Sequence, residues 1–257
     1  MRIVLLCHAE DVLTRDGLSR WLGSFSELVG ILLVEEDGGR RRERVRSEVR
    51  RSGWLRFLFD VLPFRLWRRV FHARAERAWR HATLAKLRAA YPAAVDVPTC
   101  TVSDPNAEAA RAFLADLAPD LALARLKSLL RPEVFRIPAQ GVFVLHPGVC
   151  PEYRNAHGCF WALASGDPER VGATLLRIDE GIDTGPVYGY YTYDFDPKTE
   201  PPGVIQGRVV YENLDAIQAT LDAVVAGTAQ PVDTQGRTSR VWGQPRLSAY
   251  FRIGRRA

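Results

Sequence analysis

Cysteine is scarce in this sequence, and its spacing does not match a metal site. Cys7, Cys100, Cys150 and Cys159 form no C-x-x-C pair, so neither a zinc finger nor a thioredoxin-like redox motif is indicated. Thiols with this spacing are typical of a reduced intracellular protein. We therefore expect no metal ion, no disulfide and a cytoplasmic location.

Long apolar runs are also missing. No run reaches the about 20 residues that a membrane-spanning helix needs. The first residues, MRIVLLCHAEDV, lack the charged start and small-residue cleavage site of a secretory signal. They are typical of a buried first strand instead. No glycine-rich loop follows this strand, so a phosphate or dinucleotide is not expected at that position.

The positive charge is concentrated in one segment. The chain has a formal net charge of +5, but between Arg40 and Arg88 there are 16 Lys or Arg against four Asp or Glu. That segment is near +12, and the remainder, with 19 Lys or Arg against 26 Asp or Glu, is near −7. The basic charge is therefore confined to one segment, and the net charge of the whole chain does not indicate a class of binding partner.

Short apolar runs alternate with helical patterns over the first 146 residues. The predicted strands are residues 2–6, 28–34, 96–102, 121–126, 141–146, 171–178 and 185–195. Between them, helical patterns cover residues 13–25, 104–120, 131–137 and 157–167, and a long one covers 204–227. This alternation predicts an α/β fold with a mostly parallel sheet flanked by helices. We expect one domain over residues 1–230 and a C-terminal tail, 231–257.

Several helix boundaries carry specific signals. Asp104 is placed to cap the helix of residues 104–120, with Pro105 at its first position. A helix from 157 is expected to end near Gly166, and a single helix over 204–227 to end at Gly227. The sequence from residue 228 onward has no strong period.

The stretch HPGVCPEYRNAHGCFWAL, residues 146–163, is the most unusual part of the chain. His146 ends the fifth predicted strand, and ligands of parallel sheets gather at the carboxyl ends of strands. A second loop, RIDEGIDTGPV over 177–187, supplies Asp183. A carboxylate beside an imidazole fixes its tautomer and lets it move a proton near neutral pH. The alternative, in which His146 caps a strand and Asp183 holds a turn, stays open on these residues alone.

Three segments in order resemble a known family. They are PDLALARLKSLLRPEVFRIPAQG, GVFVLHPGVCPEYRNAHGCFWAL and VGATLLRIDEGIDTGPV, and together they resemble the formyltransferases that use 10-formyltetrahydrofolate, over about residues 90–225. The resemblance implies a Rossmann-like domain with a folate site at the strand ends. It also implies transfer of a formyl group from 10-formyltetrahydrofolate, the co-substrate, to an amine.

The resemblance assigns catalytic roles and shows one departure. His146 and Asp183 match the family's catalytic His and Asp, but Val144 stands where the family has an Asn. Side chains two apart on a strand face the same way, so Val144 is expected to put an apolar group beside His146. Asn155 and His157 are candidates to replace the lost donor. They could equally take a turn conformation and start a helix.

The resemblance also implies binding residues. Folate contacts are expected from Arg125, Leu126, Asp179, Gly181, Ile182 and Gly185, and acceptor contacts from His8, Tyr153 and Arg154. Methionyl-tRNA formyltransferases add a β-barrel domain, for which this sequence has no room. We therefore expect a small-molecule amine as acceptor and no nucleic acid partner. A homodimer stays open.

The basic segment, residues 40–90, replaces what is usually a short connection in the family. It carries seven Trp or Phe residues among its arginines, and Pro63 is expected to break it into two helices. It could be a helical hairpin with solvated arginines, a lid that contacts substrate phosphate or carboxylate, or a helix that lies on a membrane surface. For the whole chain, hydrolysis of the formyl donor and non-catalytic binding are the alternatives to formyl transfer.

Overall fold

A seven-stranded sheet forms the centre of the molecule. The computed structural model describes residues 1–35 and 38–256, apart from the side chains of residues 40, 41 and 254–256. The strands are β1 (Arg2–His8), β2 (Glu27–Val34), β3 (Thr99–Val102), β4 (Leu121–Arg125), β5 (Val142–His146), β7 (Ala173–Arg177) and β8 (Val187–Tyr191), and a small separate sheet contains β6 (Arg154–Asn155) and β9 (Val241–Trp242).

The strand order is β3-β2-β1-β4-β5-β7-β8. The first five strands in this order run parallel, and β7 and β8 are antiparallel to their neighbours. In β1, alternate side chains enter the apolar layers on both faces, and Ile3 to Cys7 are all fully buried. Strands buried on both faces are typical of parallel sheets covered by helices. The predicted fold class is confirmed.

Helices cover the sheet and extend beyond it. They are α1 (Ser19–Phe25), α2 (Gly38–Ser52), α3 (Trp54–Arg56), α4 (Leu62–Trp67), α5 (Ala73–Ala90), α6 (Glu108–Leu117), α7 (Pro132–Phe135), α8 (Gly158–Ser165), α9 (Pro202–Tyr211), α10 (Leu214–Val225) and α11 (Leu247–Arg256). Turns of π-helix cover Leu13–Leu18, Phe57–Val61 and Arg68–His72, and a 3-10 turn covers Pro168–Arg170. Among these described residues, no helix combines the length and apolarity needed to cross a membrane.

Two predicted helix boundaries are wrong. Residues 204–227 form α9 and α10 rather than one helix, because the Asn213 side chain donates hydrogen bonds to the Val209 and Thr192 carbonyls and interrupts the helical pattern. Asp104 does not cap a helix. Its Oδ1 accepts from the Asn106 N–H at 2.9 Å within a turn, and α6 begins later, at Glu108.

The basic segment breaks at a different residue from the one predicted. Gly53, with φ of +80°, separates α2 from the rest, since glycine takes this left-handed conformation at little cost. Pro63 is the second residue of α4, directly after the π turn Phe57–Val61. There the hydrogen bonding changes from five-residue to four-residue spacing, so the missing N–H of proline does not interrupt the helical path.

The C-terminal residues form a strand and a helix although their sequence has no strong period. β9 pairs with β6, and α11 packs against α8 and α4. Asp60 accepts hydrogen bonds from the Ser248 N–H at 2.8 Å and the Ser248 hydroxyl at 2.6 Å. These contacts depend on residues nearly 190 positions away, which no local pattern reports.

Candidate active site

The carboxyl ends of β1 and β4 meet at the point where the strand order reverses. From β1 the chain adds β2 and β3 on one side, and β4 and β5 lie on the other. His8 ends β1, and its Nε2 accepts the Lys127 N–H at 3.0 Å, while burial and the nearby Lys127 ammonium lower the pKa of His8. Arg125 ends β4, followed by Leu126, and donates to the Leu145 carbonyl at 3.4 Å. Open α/β sheets bind ligands in such a crevice.

His146 ends the neighbouring strand β5 and faces two acceptor groups. Its Nδ1 lies 3.5 Å from Oδ2 of Asp183, and its Nε2 lies 2.8 Å from the Tyr153 carbonyl oxygen. A carbonyl oxygen only accepts, so Nε2 carries a hydrogen in this arrangement. His146 is 5% exposed, and Asp183 is the charged group beside Nδ1. The structure therefore brings together the two residues that the sequence paired.

The Asp183 carboxylate is held by the backbone as well as by the imidazole. Asp183 has φ of +50°, a backbone conformation that residues other than glycine rarely adopt. Its Oδ2 accepts a hydrogen bond from the Asn155 backbone N–H at 2.7 Å. A side chain tied from two directions has few alternative rotamers, so this carboxylate is preorganised toward His146.

The loop between β7 and β8 is shaped by its own residues. Asp179 Oδ1 accepts from the Gly181 N–H at 2.9 Å and from the Thr184 hydroxyl at 2.6 Å. A Cβ on Gly185 would lie 1.8 Å from the Arg177 carbonyl oxygen, so only glycine fits there. The Ile182 carbonyl accepts from Arg154 at 3.2 Å. These contacts fix the loop that carries Asp183.

Two glycines let the loop after β5 close around the imidazole. A Cβ on Gly148 would lie 2.7 Å from Nε2 of His146 and 2.6 Å from the Tyr153 carbonyl oxygen. A Cβ on Gly158 would lie 2.4 Å from the Gly148 Cα. Both distances are below any real Cβ contact, so the backbone packing here requires glycine at both positions. In the sequence, the only sign of this close packing is the presence of glycine at these two positions.

Val144 lies where the resemblance places an amide. It packs against the small apolar cluster of Cys150, Leu176 and Val187, and it precedes His146 by two positions on β5. The two side chains therefore lie on the same face of the sheet. An apolar group occupies this position, and no hydrogen bond can come from it.

Asn155 and His157 do not stand in for that amide as the structure places them. The Asn155 amide Nδ2 donates to the Trp242 carbonyl, so its contact with Asp183 is through the backbone alone. His157 occupies the N-cap position of α8 with φ of +56°, and its side chain makes no capping hydrogen bond. It lines a small cavity with Phe64, Arg68 and Gln206, and neither His146 nor Asp183 borders that cavity.

Burial controls the protonation of His157. Desolvation, reinforced by the positive charge of Arg68, lowers the pKa of His157 to about 4. The imidazole is therefore neutral at pH 7. Its cavity is formed by the basic segment and α9, which makes His157 a link between that segment and the start of α8.

Tyr153 belongs to the support of the site. Its hydroxyl donates to Asp167 at 3.0 Å, and burial, together with this carboxylate, raises the pKa of Tyr153 to about 12. Its ring stacks on Trp242 at 5.6 Å with an interplanar angle of 16°. Trp242 stacks in turn on Trp161 at 4.8 Å. The Tyr153 carbonyl that contacts His146 is thus held by the C-terminal residues.

A group of hydrogen bonds also joins the C-terminal residues to the loop after β5. Arg237 donates two hydrogen bonds to the Glu152 carboxylate, at 2.9 and 2.7 Å, and one to the Tyr190 hydroxyl at 2.6 Å. The Trp242 indole N–H donates to the Glu152 carbonyl at 2.8 Å. Sequence reasoning missed Glu152, Arg237 and Trp242, because their partners lie far apart in the chain.

The comparison with protein families matches this part of the chain. The family model described as formyl transferase matches residues 80–218, which include His146, the loop after it and Asp183. The chain belongs to the formyl transferase family. Members of this family transfer one-carbon formyl groups. The match begins after most of the basic segment and ends before the C-terminal elements.

Curated relatives of this chain share the same central region. A methionyl-tRNA formyltransferase of Mycolicibacterium gilvum is 39% identical over 141 residues, which is 54% of this chain and 45% of the relative. One from Mycobacterium marinum is 35% identical over 146 residues, 56% of this chain and 46% of the relative. The chain spans about half the length of the curated relatives it matches.

Solved structures share the fold at low sequence identity. A phosphoribosylglycinamide formyltransferase from Anaplasma phagocytophilum has a TM-score of 0.56 and 13% identity, and the match covers 94% of this chain and 97% of the other. A sugar N-formyltransferase from Shewanella sp FDAARGOS_354 has a TM-score of 0.55 and 13% identity, with 95% and 77% covered. At this identity the likeness concerns the fold alone.

Proposed function

We propose that this chain transfers a formyl group from 10-formyltetrahydrofolate to the amine of a small molecule. The observation that carries the proposal is the buried pair of His146 and Asp183, 3.5 Å apart at the carboxyl end of β5. Membership of the formyl transferase family supplies the reaction class. The proposed co-substrate follows from the family resemblance of the same segments.

The proposed role of the pair is to manage one proton. The formyl carbon of 10-formyltetrahydrofolate would form a bond to the amine nitrogen as its bond to N10 breaks, and the proton lost by the amine would pass to N10 of the released tetrahydrofolate. Nδ1 of His146 and Oδ2 of Asp183 are placed to hold that proton between them. Because Nε2 already donates to Tyr153, the ring is fixed in a single orientation. General acid and base groups of this kind contribute about 100- to 10,000-fold to a rate.

One buried side-chain donor near the strand ends is open to a bound substrate. Nε of Arg154 is buried and has no hydrogen-bond partner within residues 1–35 and 38–256, so an N–H donor is available beside the Asp183 loop. We propose that Arg125, Leu126, Asp179, Gly181, Ile182 and Gly185 hold this co-substrate, Asp179 acting through the turn it stabilises. His8 and Arg154 are proposed to face the acceptor.

Tyr153 has a different proposed role from direct acceptor binding. Its hydroxyl is engaged by Asp167 and its ring by Trp242. We propose that Tyr153 positions His146 through its carbonyl oxygen. Asn155 is proposed to do the same for Asp183 through its N–H.

The acceptor is proposed to be a small amine, such as an amino sugar attached to a nucleotide. One likeness in fold is to a protein named as a sugar N-formyltransferase, and another is to one named for phosphoribosylglycinamide. The curated relatives are named for methionyl-tRNA, so methionyl-tRNA belongs among the acceptors to be tested. In this chain the C-terminal elements contact the loop that follows β5.

Val144 supports a second candidate function, hydrolysis of the formyl donor. With valine beside His146, a hydrogen-bond donor is missing, and loss of one such donor costs about 100- to 1,000-fold in acyl-transfer enzymes. A slow site that admits water would release formate and tetrahydrofolate without an acceptor. Binding of the donor without turnover would be the non-catalytic outcome.

The test is to measure binding and turnover of 10-formyltetrahydrofolate by the purified full chain, with and without an amine panel. Release of tetrahydrofolate that depends on one amine supports the proposal, and the formylated amine is identified by mass spectrometry. Release without any amine supports hydrolysis. Absence of binding contradicts both functions. The exposed His81, changed to Asn, serves as the matched control for His146→Asn.

A further inference from the structure

An exposed apolar stripe runs along the basic segment. It consists of Trp54, Leu55, Leu58, Phe59, Leu66, Val70 and Phe71. Phe59 and Val70 are 70% and 71% exposed, and Trp54 is 64% exposed. These residues recur at helical spacing over α3, α4 and the π turns between them and after them, so they share one side of a helical rod. Contiguous exposed apolar surface of this kind marks an interaction site.

The stripe belongs to an anchored helix rather than a loose one. On the opposite side, Val61 and Phe64 are 1% and 5% exposed. The Phe64 ring packs on Phe160 of α8 at 5.2 Å and on Tyr250 of α11 at 5.8 Å. The buried side therefore uses the ordinary apolar contacts of the fold, and the exposed stripe is additional to them.

Positive charge flanks the stripe without compensation. Arg56, Arg65 and Arg69 are exposed on the same helical rod, and within the described part of the chain no carboxylate lies within ion-pair distance of them. Asp60 is the one acidic residue between positions 54 and 72, and its two oxygens accept from Ser248. The rod thus presents arginines beside aromatic and aliphatic side chains.

We propose that this stripe docks the protein on an anionic lipid surface. Helices that lie in a membrane interface combine Trp, Phe and Leu on one side with Lys or Arg beside them, and anionic headgroups attract the basic residues. A transmembrane arrangement is not involved. The stripe lies at residues 54–71, outside the matched region 80–218, and the inference does not depend on the proposed formyl transfer.

Charge favours a lipid surface over the other occupants. Two copies of this chain meeting at the stripe would bring together two segments near +12, and like charges in contact oppose association. An RNA would satisfy the arginines, but it would leave Leu55, Leu66 and Val70 against a phosphate backbone. An anionic bilayer accepts both the charges and the apolar side chains.

The test is co-sedimentation of the full chain with vesicles of phosphatidylcholine alone or with one third phosphatidylserine. We expect sedimentation with the anionic vesicles and little with the neutral ones. The variant Phe59→Ser/Phe71→Ser should lose at least about tenfold in binding. Arg56→Gln/Arg69→Gln should lose about 25-fold at low salt, about fivefold for each charge. Leu129→Ser, at a residue 63% exposed outside the segment, is the control that should bind as the wild type does.

Four results would overturn the proposal. They are no sedimentation with anionic vesicles, equal binding to neutral ones, self-association abolished by Phe59→Ser/Phe71→Ser, and binding to a duplex RNA that outcompetes the vesicles. Because the substituted side chains are exposed, the variants are expected to fold, and far-ultraviolet circular dichroism with the melting temperature verifies this. Formyl transfer is assayed without vesicles, so failure of one proposal is distinguishable from failure of the other.

Discussion

Nε2 of His146 donates its hydrogen to the carbonyl oxygen of Tyr153 over 2.8 Å. Because that carbonyl has no proton to give, proton exchange by this imidazole is left to Nδ1, which faces Asp183. The backbone of the loop after β5 thus selects the tautomer. It does so through a residue whose ring is stacked on the C-terminal Trp242.

The His146 and Asp183 pair is tested by Asp183→Asn and His146→Asn. We expect either change to lower turnover by about 100- to 10,000-fold while co-substrate binding changes little, because proton transfer is lost and the fold is kept. The amide oxygen that Asp183→Asn introduces can still accept the Asn155 N–H, so the loop should stay in place. The measurement is tetrahydrofolate release at saturating donor. Asp116→Asn, at an exposed residue of α6, is the control, and unchanged turnover in both site variants would rule out the proposed pair.

Val144→Asn tests whether the missing amide limits the rate. The new side chain would lie on the His146 side of β5 and could donate a hydrogen bond in the site. We expect turnover to rise by about tenfold or more if the rest of the site is intact, since one donor is worth about 100- to 1,000-fold elsewhere. Val144→Ile, which keeps the position apolar, should show no gain. A rate that does not rise in the Asn variant would mean that another group already supplies the donor.

The central sheet follows from patterns within the sequence, whereas the pairing of His146 with Asp183 depended on the family resemblance, because β7, which leads into the Asp183 loop, runs antiparallel to β5. Apolar runs between helical patterns locate the strands, and parallel strands bring their carboxyl ends to one edge. The C-terminal contacts do not follow in this way. Arg237 reaches Glu152 across 85 positions and Asn155 reaches Trp242 across 87, and neither pair leaves a periodic signal.

The roles of Asn155 and His157 also depended on tertiary contacts. Both residues take positive φ values, +76° and +56°, so the turn and helix-start alternative describes their backbones. The direction of each side chain was decided by what surrounds it. The Trp242 carbonyl accepts a hydrogen bond from the Asn155 amide, and the His157 imidazole lines the cavity beside the basic segment.

Gly158→Ala tests the tight loop around His146. The added Cβ would lie 2.4 Å from the Gly148 Cα and 2.9 Å from the Tyr153 carbonyl oxygen, so the backbone must move. We expect a loss of about 1–3 kcal/mol in the free energy of unfolding, together with a large loss of turnover. Gly23→Ala, in α1, is the matched control, because the one atom that the added Cβ would meet is the Ala94 Cβ, 3.9 Å away. It should be neutral or stabilising by about 0.5–1 kcal/mol, and equal behaviour of the two variants would contradict the packing argument.

Trp242→Ala tests whether the C-terminal strand positions the catalytic loop. The change removes stacking on both Tyr153 and Trp161 and the hydrogen bond to the Glu152 carbonyl. We expect about 2–4 kcal/mol of destabilisation and a fall in turnover measured well below the melting temperature. Val241→Ala is the control, since that side chain is 45% exposed on the same strand. Full activity of folded Trp242→Ala would assign Trp242 to stability alone.

We expect His157 to contribute to the loss of folding stability at acidic pH. A histidine in an unfolded chain has a pKa of about 6.5, and burial beside Arg68 lowers that of His157 to about 4. Between these values the unfolded chain binds the proton and the folded one does not. The stabilisation is therefore full above about pH 6.5 and is lost as the pH falls toward 4, by at most about 3 kcal/mol.

The measurement is urea unfolding of the wild type and His157→Gln at pH 7.5 and 4.5. We expect the wild type to lose about 2 kcal/mol more than the variant between these values, because the glutamine side chain of the variant takes up no proton. His8 and His72, whose pKa values burial also lowers, contribute equally to both proteins and cancel in the difference. His81→Gln, at an exposed residue of α5, should keep the pH dependence of the wild type. An equal pH dependence of His157→Gln and the wild type would show that this imidazole is protonated in the folded chain or reaches solvent.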